Sequence, residues 1–231
     1  GELVASGSRA PLKSSSKVVL FSPHPDDECI TGLLPLRLMR ETGRQIVNVP
    51  VTFGSNARRR EGRTSELIKA CSFLGFHLHQ KKAGLEPLNV DDVCGILEEI
   101  EPEIVFVPHS NDFNSAHIAA HQLVMTALQG MGSGFSCTLV ETEFWRAMNT
   151  PNLMVGADAV LVADLVAATS MHTGEVSRTP FHLLLPAWMQ DNLRRGSELV
   201  GGQGQACPDF SFATLYRMRR WRRGRFIEDR D

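Results

Sequence analysis

From residue 17 onward, short runs of uninterrupted apolar residues alternate with longer stretches of helical period. Lys17–Ser22 (KVVLFS) is apolar and β-branched and breaks at Pro23, which predicts a buried strand running into a loop. Leu33, Leu34, Leu36, Leu38 and Met39 follow at helical spacing and lead to Gly43, a suitable helix C-cap. Residues 45–52 (QIVNVPVT) predict a second strand, weakened by Pro50 because proline has no N–H to give to a ladder. Over residues 59–74, Leu67, Ile68, Ala70, Cys71 and Leu74 share one helical face before the terminating Gly75, and residues 91–101 repeat the pattern. Residues 104–107 (IVFV) form another buried strand ending at Pro108, and Ser115 is placed to cap a helix running toward Gly130. Strands that are apolar throughout are buried on both faces. Alternating with helices, they predict an α/β fold: a doubly wound, Rossmann-like, mainly parallel sheet with helices on both sides.

Beyond Gly130 the pattern is less regular. Residues 137–145 and 160–162 read as strands, 187–200 as a helix, and the glycine run at 201–205 as a flexible turn, since it neither follows a strand nor opens a helix. With 231 residues and no visible repeat, one domain is expected over 17–225, between a flexible segment at 1–16 and a tail at 226–231.

Charge and cysteine content narrow the function classes. A formal charge of −2 gives no global attraction to nucleic acid, although residues 217–231 hold seven arginines against three acids and so carry +4. A solvated terminal strand explains that segment without a nucleic-acid partner. The five cysteines (Cys29, Cys71, Cys94, Cys137, Cys207) contain no C-x-x-C pair, as expected of free thiols in a reducing compartment. The apolar stretch 153–168 is interrupted by Asp158 and Asp164 and is too short to span a bilayer. Residues 1–16 contain no apolar signal core, so a cytoplasmic location is expected, although these residues say nothing of a leader already removed.

The chemistry concentrates at two strand ends. Immediately after the first strand comes Pro23-His24-Pro25-Asp26-Asp27-Glu28, an imidazole and three carboxylates between stiffening prolines. The strand at 104–107 ends in His109, Ser110, Asn111, Asp112, Asn114 and His117. Sites in doubly wound sheets form outside the carboxyl ends of strands, so the two loops are expected to meet. His24, Asp27 and a histidine of the second loop would then make a two-histidine, one-carboxylate metal site with a coordination position left open. His117 and His121 lie one helical turn apart, so one can ligate while the other shares its face.

These residues resemble the LmbE-like, PIG-L-type deacetylases, zinc enzymes that remove acetyl groups from N-acetylglucosamine units. The family's HPDDE is present as His24 to Glu28. Its D-x-H-P-D-H string corresponds to Asp112-Phe113-Asn114-Ser115-Ala116-His117, and its R-x-x-E helix ending in Leu-Gly to Arg63-Thr64-Ser65-Glu66 with Leu74-Gly75. The resemblance covers roughly residues 17–130. It implies that His24, Asp27 and His117 bind zinc, or another divalent metal, and that Asp26 is the general base. It further implies substrate contacts from Arg63 and Asp112, with a surface ion pair to Glu66 as the alternative for Arg63.

One departure bears on mechanism. Asn114 stands where the family often has a histidine, and an amide has no titratable proton, although it can hydrogen-bond an oxyanion or a hydroxyl. His172 and His109 are then the candidate acids. His77 and His79 alternate in a short strand and are expected to be exposed, and Glu141, Glu143 and Trp145 alternate as either a sugar-lining or an exposed face.

The expected activity is metal-dependent hydrolysis of the acetamide of an N-acetylglucosamine-type amino sugar. Two alternatives are a carbohydrate-binding protein that lost its acid, motivated by Asn114, and a non-haem iron enzyme using the same ligand types.

Overall fold

The computed structural model describes residues 16–79, 84–202, 204 and 208–227. The expected N-terminal segment (Ser16 excepted), Cys207, two residues of the 201–205 turn and residues 228–231 of the expected tail lie outside them.

Strands β1 (Lys17–Ser22), β2 (Gln45–Pro50), β3 (His77–Leu78), β4 (Ile104–Pro108) and β5 (Ser136–Thr142) run parallel. Strand β6 (Leu153–Ala157) forms the far edge, and β7 (Phe212–Arg222) lies antiparallel between β5 and β6. The order is β3-β2-β1-β4-β5-β7-β6, with β8 (Arg225–Ile227) paired to β7. Strand order reverses at β1 and β4, which is where a doubly wound sheet opens a crevice at its carboxyl edge.

The apolar strands face two layers of helix. Val18, Leu20 and Phe106 pack with α2 (Leu33–Thr42), α3 (Arg60–Leu74), α6 (Ala159–Ser170) and α8 (Phe181–Leu199). Val19, Phe21, Val105 and Val107 pack on the opposite face against α4 (Val90–Ile100) and α5 (Ser115–Gly130). Alternate residues of one strand thus enter different cores, which is why these strands read as unbroken apolar runs.

Prolines mark the carboxyl edge. Pro50 and Pro108 are the last residues of β2 and β4, and Pro23 directly follows β1. Lacking an N–H, each ends or leaves the ladder at the same edge, so the following loops turn out together.

The C-terminal half differs from the sequence expectation in three places. Residues 160–162 are not a strand but the first turns of α6, capped by Asp158, whose Oδ1 accepts the Leu161 N–H at 2.8 Å. A strand, a cap and a helix occur within one apolar stretch there, and hydrophobic periodicity alone does not separate them. Helix α8 begins at Phe181, before the expected 187, and runs through Pro186. The arginine-rich segment is largely an interior strand rather than a solvated terminal one, with Arg219 paired to the buried Glu141 at 2.8 Å.

Strand β7 also secures the site from behind. The Tyr216 hydroxyl, fully buried, donates to Thr31 O and accepts from Leu34 N–H, both at 3.1 Å. Tyr216→Phe leaves both backbone groups unpaired and is expected to cost about 1–3 kcal/mol, read as a lower urea midpoint at unchanged m. An unchanged midpoint would mean that the hydroxyl contributes nothing net.

Candidate metal centre and active-site cavity

The loop after β1 turns sharply at Asp26, whose φ of 123° and ψ of −30° are rare for a residue with a side chain. Such a conformation costs on the order of 1–3 kcal/mol and persists only where its surroundings enforce it. From this turn α1 (Asp27–Ile30) starts, with Asp26 O accepting the N–H groups of Cys29 and Ile30 at 3.0 and 3.1 Å.

Asp27 is the hub. Its Oδ2 accepts the His24 backbone N–H at 2.8 Å and lies 3.4 Å from both His24 Nδ1 and His117 Nε2. One ligand atom from each of the three residues falls within 4.8 Å of the others. His117 Nε2 is buried and has no hydrogen-bond partner among the described residues, although it faces a carboxylate. An imidazole nitrogen without a partner, two nitrogen donors and one oxygen donor on a common point suit a divalent cation of the zinc type. The residues present therefore fit the group that the sequence implies.

Asp112 supports this arrangement from behind. Its Oδ2 is 3.5 Å from His117 Nδ1, its Oδ1 accepts the Asn114 N–H at 2.8 Å, and its side chain is buried. A carboxylate on the far nitrogen of a ligating histidine orients the ring and raises its basicity. Burial would lower the His117 pKa, but Asp27 and Asp112 outweigh it and raise it to about 10. Burial would likewise raise Asp27, yet His117 and His24 hold it far below the ordinary carboxylate range.

Asp26 behaves oppositely. Burial first, then the charges of Asp27 and Glu28, push its carboxyl well above the usual range against the lowering pull of Arg63. Adjacent carboxylates are thus driven apart in basicity.

His24, Asp26, Asp27 and His117 line a cavity of about 700 Å³, within the size range of small-molecule sites. Phe53, Trp145 and Phe181 supply apolar wall, and Arg59, Arg178 and Asn114 supply polar wall. Asn114 caps α5, a role expected of Ser115 one residue later, with Oδ1 accepting the Ala116 N–H at 2.9 Å. Its Nδ2 keeps both protons for a ligand.

Of the other expected site residues, Arg63 and Trp145 line the cavity. His172 is fully buried, is bonded to Glu28 Oε1 at 2.7 Å, and does not line the cavity. His109 Nε2 is 2.9 Å from Arg146 O and does not line the cavity. Arg63 is buried rather than paired at the surface. It donates Nη1 to Phe53 O and Nη2 to Pro25 O, each at 3.2 Å, and its Nε lies 3.4 Å from Glu175 Oε1. Glu141 and Glu143 are buried and paired with Arg219 and Arg195, which leaves Trp145 alone of that trio at the cavity. His121 bonds Pro108 O at 2.8 Å, and His79 is half-buried, 3.8 Å from Glu99.

The sequence reading passed over Glu175, which gathers Arg59 at 2.6 Å, Arg178 at 3.2 Å and Arg63 on one wall. A single acid in a polar stretch carries no local signal. The neighbouring Glu66 accepts from Thr173 Oγ1 at 2.7 Å and Gly174 N–H at 2.9 Å, so the segment at 172–175 is tied to α3.

Comparison with known proteins follows this geometry. Residues 19–128 match the family described as PIG-L: GlcNAc-PI de-N-acetylase. No curated protein sequence matches the chain. Among solved structures, the 4-carboxy-2-hydroxymuconate hydratase GalB of Pseudomonas putida is 15% identical with a TM-score of 0.66, over 88% of this chain and 95% of that one. The N,N'-diacetylchitobiose deacetylase of Pyrococcus horikoshii is also 15% identical, with a TM-score of 0.64 over 90% and 84%. A zinc-inhibited form of a teicoplanin deacetylase is 11% identical, with a TM-score of 0.63 over 93% and 100%. At these identities the likeness establishes the fold. No helix among the described residues is long and apolar enough to cross a membrane.

Proposed function

Because residues 19–128 match the PIG-L family, we propose that this protein is a metal-dependent N-deacetylase that hydrolyses the acetamide of an N-acetylglucosamine-type amino sugar. The observation that carries the reading is the convergence of His24, Asp27 and His117 beside a buried Asp26 of raised basicity, lining a cavity of small-molecule size.

His24, Asp27 and His117 would hold the cation, zinc by donor type, which supplies a Lewis acid that polarises the amide carbonyl and acidifies water. Asp112 keeps the His117 ring in place. Asp26, whose side chain lines the cavity next to Asp27, takes a proton from the water that attacks the carbonyl carbon.

The leaving nitrogen also needs a proton. His172 and His109 do not reach the cavity, and Asn114 has no titratable proton. The reading that fits is that Asp26 returns the proton it took, acting first as base and then as acid. The C–N bond breaks with its electron pair going to nitrogen, leaving acetate and a free amine. The Asn114 amide donates to the carbonyl oxygen or a sugar hydroxyl. Arg63 lines the cavity and donates to Pro25 O and Phe53 O, so it braces the loop that carries Asp26 at the cavity wall, where a substrate would also meet it.

Acetate release from N-acetylglucosamine, its glycosides and a glycolipid, compared between zinc-loaded and chelated protein, is the test. Metal-dependent release from at least one of these is expected. The same fold in a hydratase shows that fold alone does not choose the reaction, so metal-bound protein that releases no acetate from any N-acyl sugar would overturn the proposal.

A further inference from the structure

Behind the cavity floor lies a second cluster that the chemistry does not use directly: Glu28, Cys29 and His172, all buried. The Glu28 carboxylate is shared in an ordered way. Oε2 accepts the Asp26 backbone N–H at 2.9 Å, and Oε1 takes the His172 ring nitrogen at 2.7 Å and the Cys29 thiol at 3.1 Å. Both Glu28 and His172 are inaccessible to solvent. The short contacts are hydrogen bonds rather than the wider spacing that two ligands of one cation would need, so this cluster is not a second metal site.

The Asp26 N–H that Glu28 accepts belongs to the residue whose φ is 123°. That backbone angle turns the amide into the protein interior while the side chain lines the cavity. Glu28 is the acceptor that makes an inward amide tolerable, because a buried N–H without a partner is costly. His172 in turn fixes the carboxylate. It arrives from the end of α6, where its own carbonyl accepts the Glu175 and Val176 N–H groups that start α7 (Thr173–Val176). Glu66 holds the next two residues, and Glu175 binds Arg63, whose Nη2 bonds Pro25 O. The segment at 172–175 therefore reaches the Asp26 loop by two routes.

We propose that Glu28 and His172 are a positioning pair that holds the strained Asp26 backbone and so aims its carboxylate at the reacting centre. This rests on Asp26 being the base. His172, expected from sequence as an acid, then acts through Glu28 on geometry and not by proton transfer to substrate.

Two measurements on zinc-loaded protein test this. In kinetics, Glu28→Ala lowers kcat by about a hundredfold, the scale of a small misplacement of a catalytic group. KM and zinc content stay near the parent's, and Glu28→Gln, which keeps an acceptor for the Asp26 N–H, restores most of the rate. A purely structural role would move all three variables together.

The second measurement needs no substrate. Asp26→Gly is expected to melt at a higher temperature than Asp26→Ala, the reverse of the usual order, because glycine tolerates this φ and both changes remove the same charge. Glu28→Ala then lowers Tm less in the Asp26→Gly background than in Asp26→Ala. Equal Tm losses in the two backgrounds, or a parental kcat in Glu28→Ala, overturn the proposal. If Glu28→Ala does not fold, His172→Gln carries the same cycle in its place. Were the parent inactive on every N-acyl sugar, the deacetylase reading would fail while the Tm cycle still decided the positioning role.

Discussion

Asp26→Asn is expected to lower kcat by about 10²- to 10⁴-fold, the usual contribution of a general base, while the protein keeps its metal and its fold. The substitution is nearly isosteric and leaves the Asp26 N–H on Glu28 and its carbonyl on the start of α1. Asparagine tolerates positive φ about as well as aspartate, so the turn survives. It also removes a buried charge that lies against Asp27 and Glu28, so no loss of stability is expected. What the amide lacks is the ability to accept a proton, and if Asp26 both takes and returns it, one change disables both halves of the reaction. Initial rates, metal content by mass spectrometry and Tm, measured on one preparation, check this. A variant turning over within a few-fold of the parent would remove Asp26 from its assigned role.

His117→Ala is expected to abolish stoichiometric metal binding, and activity with it. The ring would supply one of three protein donors, and its Nε2 is a buried atom without a hydrogen-bond partner among the described residues. With two donors left, affinity falls to that of a weak site. Zinc should raise the Tm of the parent in proportion to log concentration above Kd, through preferential binding to the folded state, and leave the variant's Tm flat. Asp112→Asn provides a graded comparison: the ligands are intact, but the carboxylate behind the ring is gone, and affinity should drop about 10- to 100-fold. If His117→Ala retained one tightly bound equivalent, the metal centre would have to lie elsewhere.

The two substitutions separate what a single inactive variant does not. Loss of turnover with metal retained points to Asp26, and loss of both points to the ligand set. Glu28→Ala shares the first pattern, with metal and KM kept and kcat reduced, and is told apart from Asp26→Asn by the rescue that Glu28→Gln provides.

Much of this arrangement was legible without coordinates, for a physical reason. In a doubly wound sheet the reactive groups sit in the residues that directly follow strands, so a strand pattern plus a polar cluster at its end locates a site. His24, Asp26 and Asp27 follow β1, and Asp112, Asn114 and His117 follow β4. Those two strands are neighbours at the point where strand order reverses. Spacing along the chain is enough there, because the fold brings the two loops together whatever the details of packing.

The second half was less legible because its signals are not local. The stretch 153–168 hides a strand, a cap and a helix in one apolar run. Strand β7 lies between β5 and β6 although it comes after both in the chain, an insertion no periodicity announces. Residue types alone misdirect as well. His172 looks like a proton-transfer residue, but it bonds Glu28 and does not line the cavity, whereas Arg63 lines the cavity while also donating to two backbone carbonyls.

The sequence by itself determined the parallel core of the sheet and the two polar loops that meet at its carboxyl edge, and the family resemblance it carries named His24, Asp27 and His117 as candidate metal donors. Tertiary structure alone decided which polar groups face the cavity and which brace it. His172 comes to Glu28 across 144 residues, and Glu175 to Arg59 across 116, because α6 packs beside α1 and α3. Contacts of that range arise from the burial of whole helix faces, and a side chain's role there follows from what it is packed against.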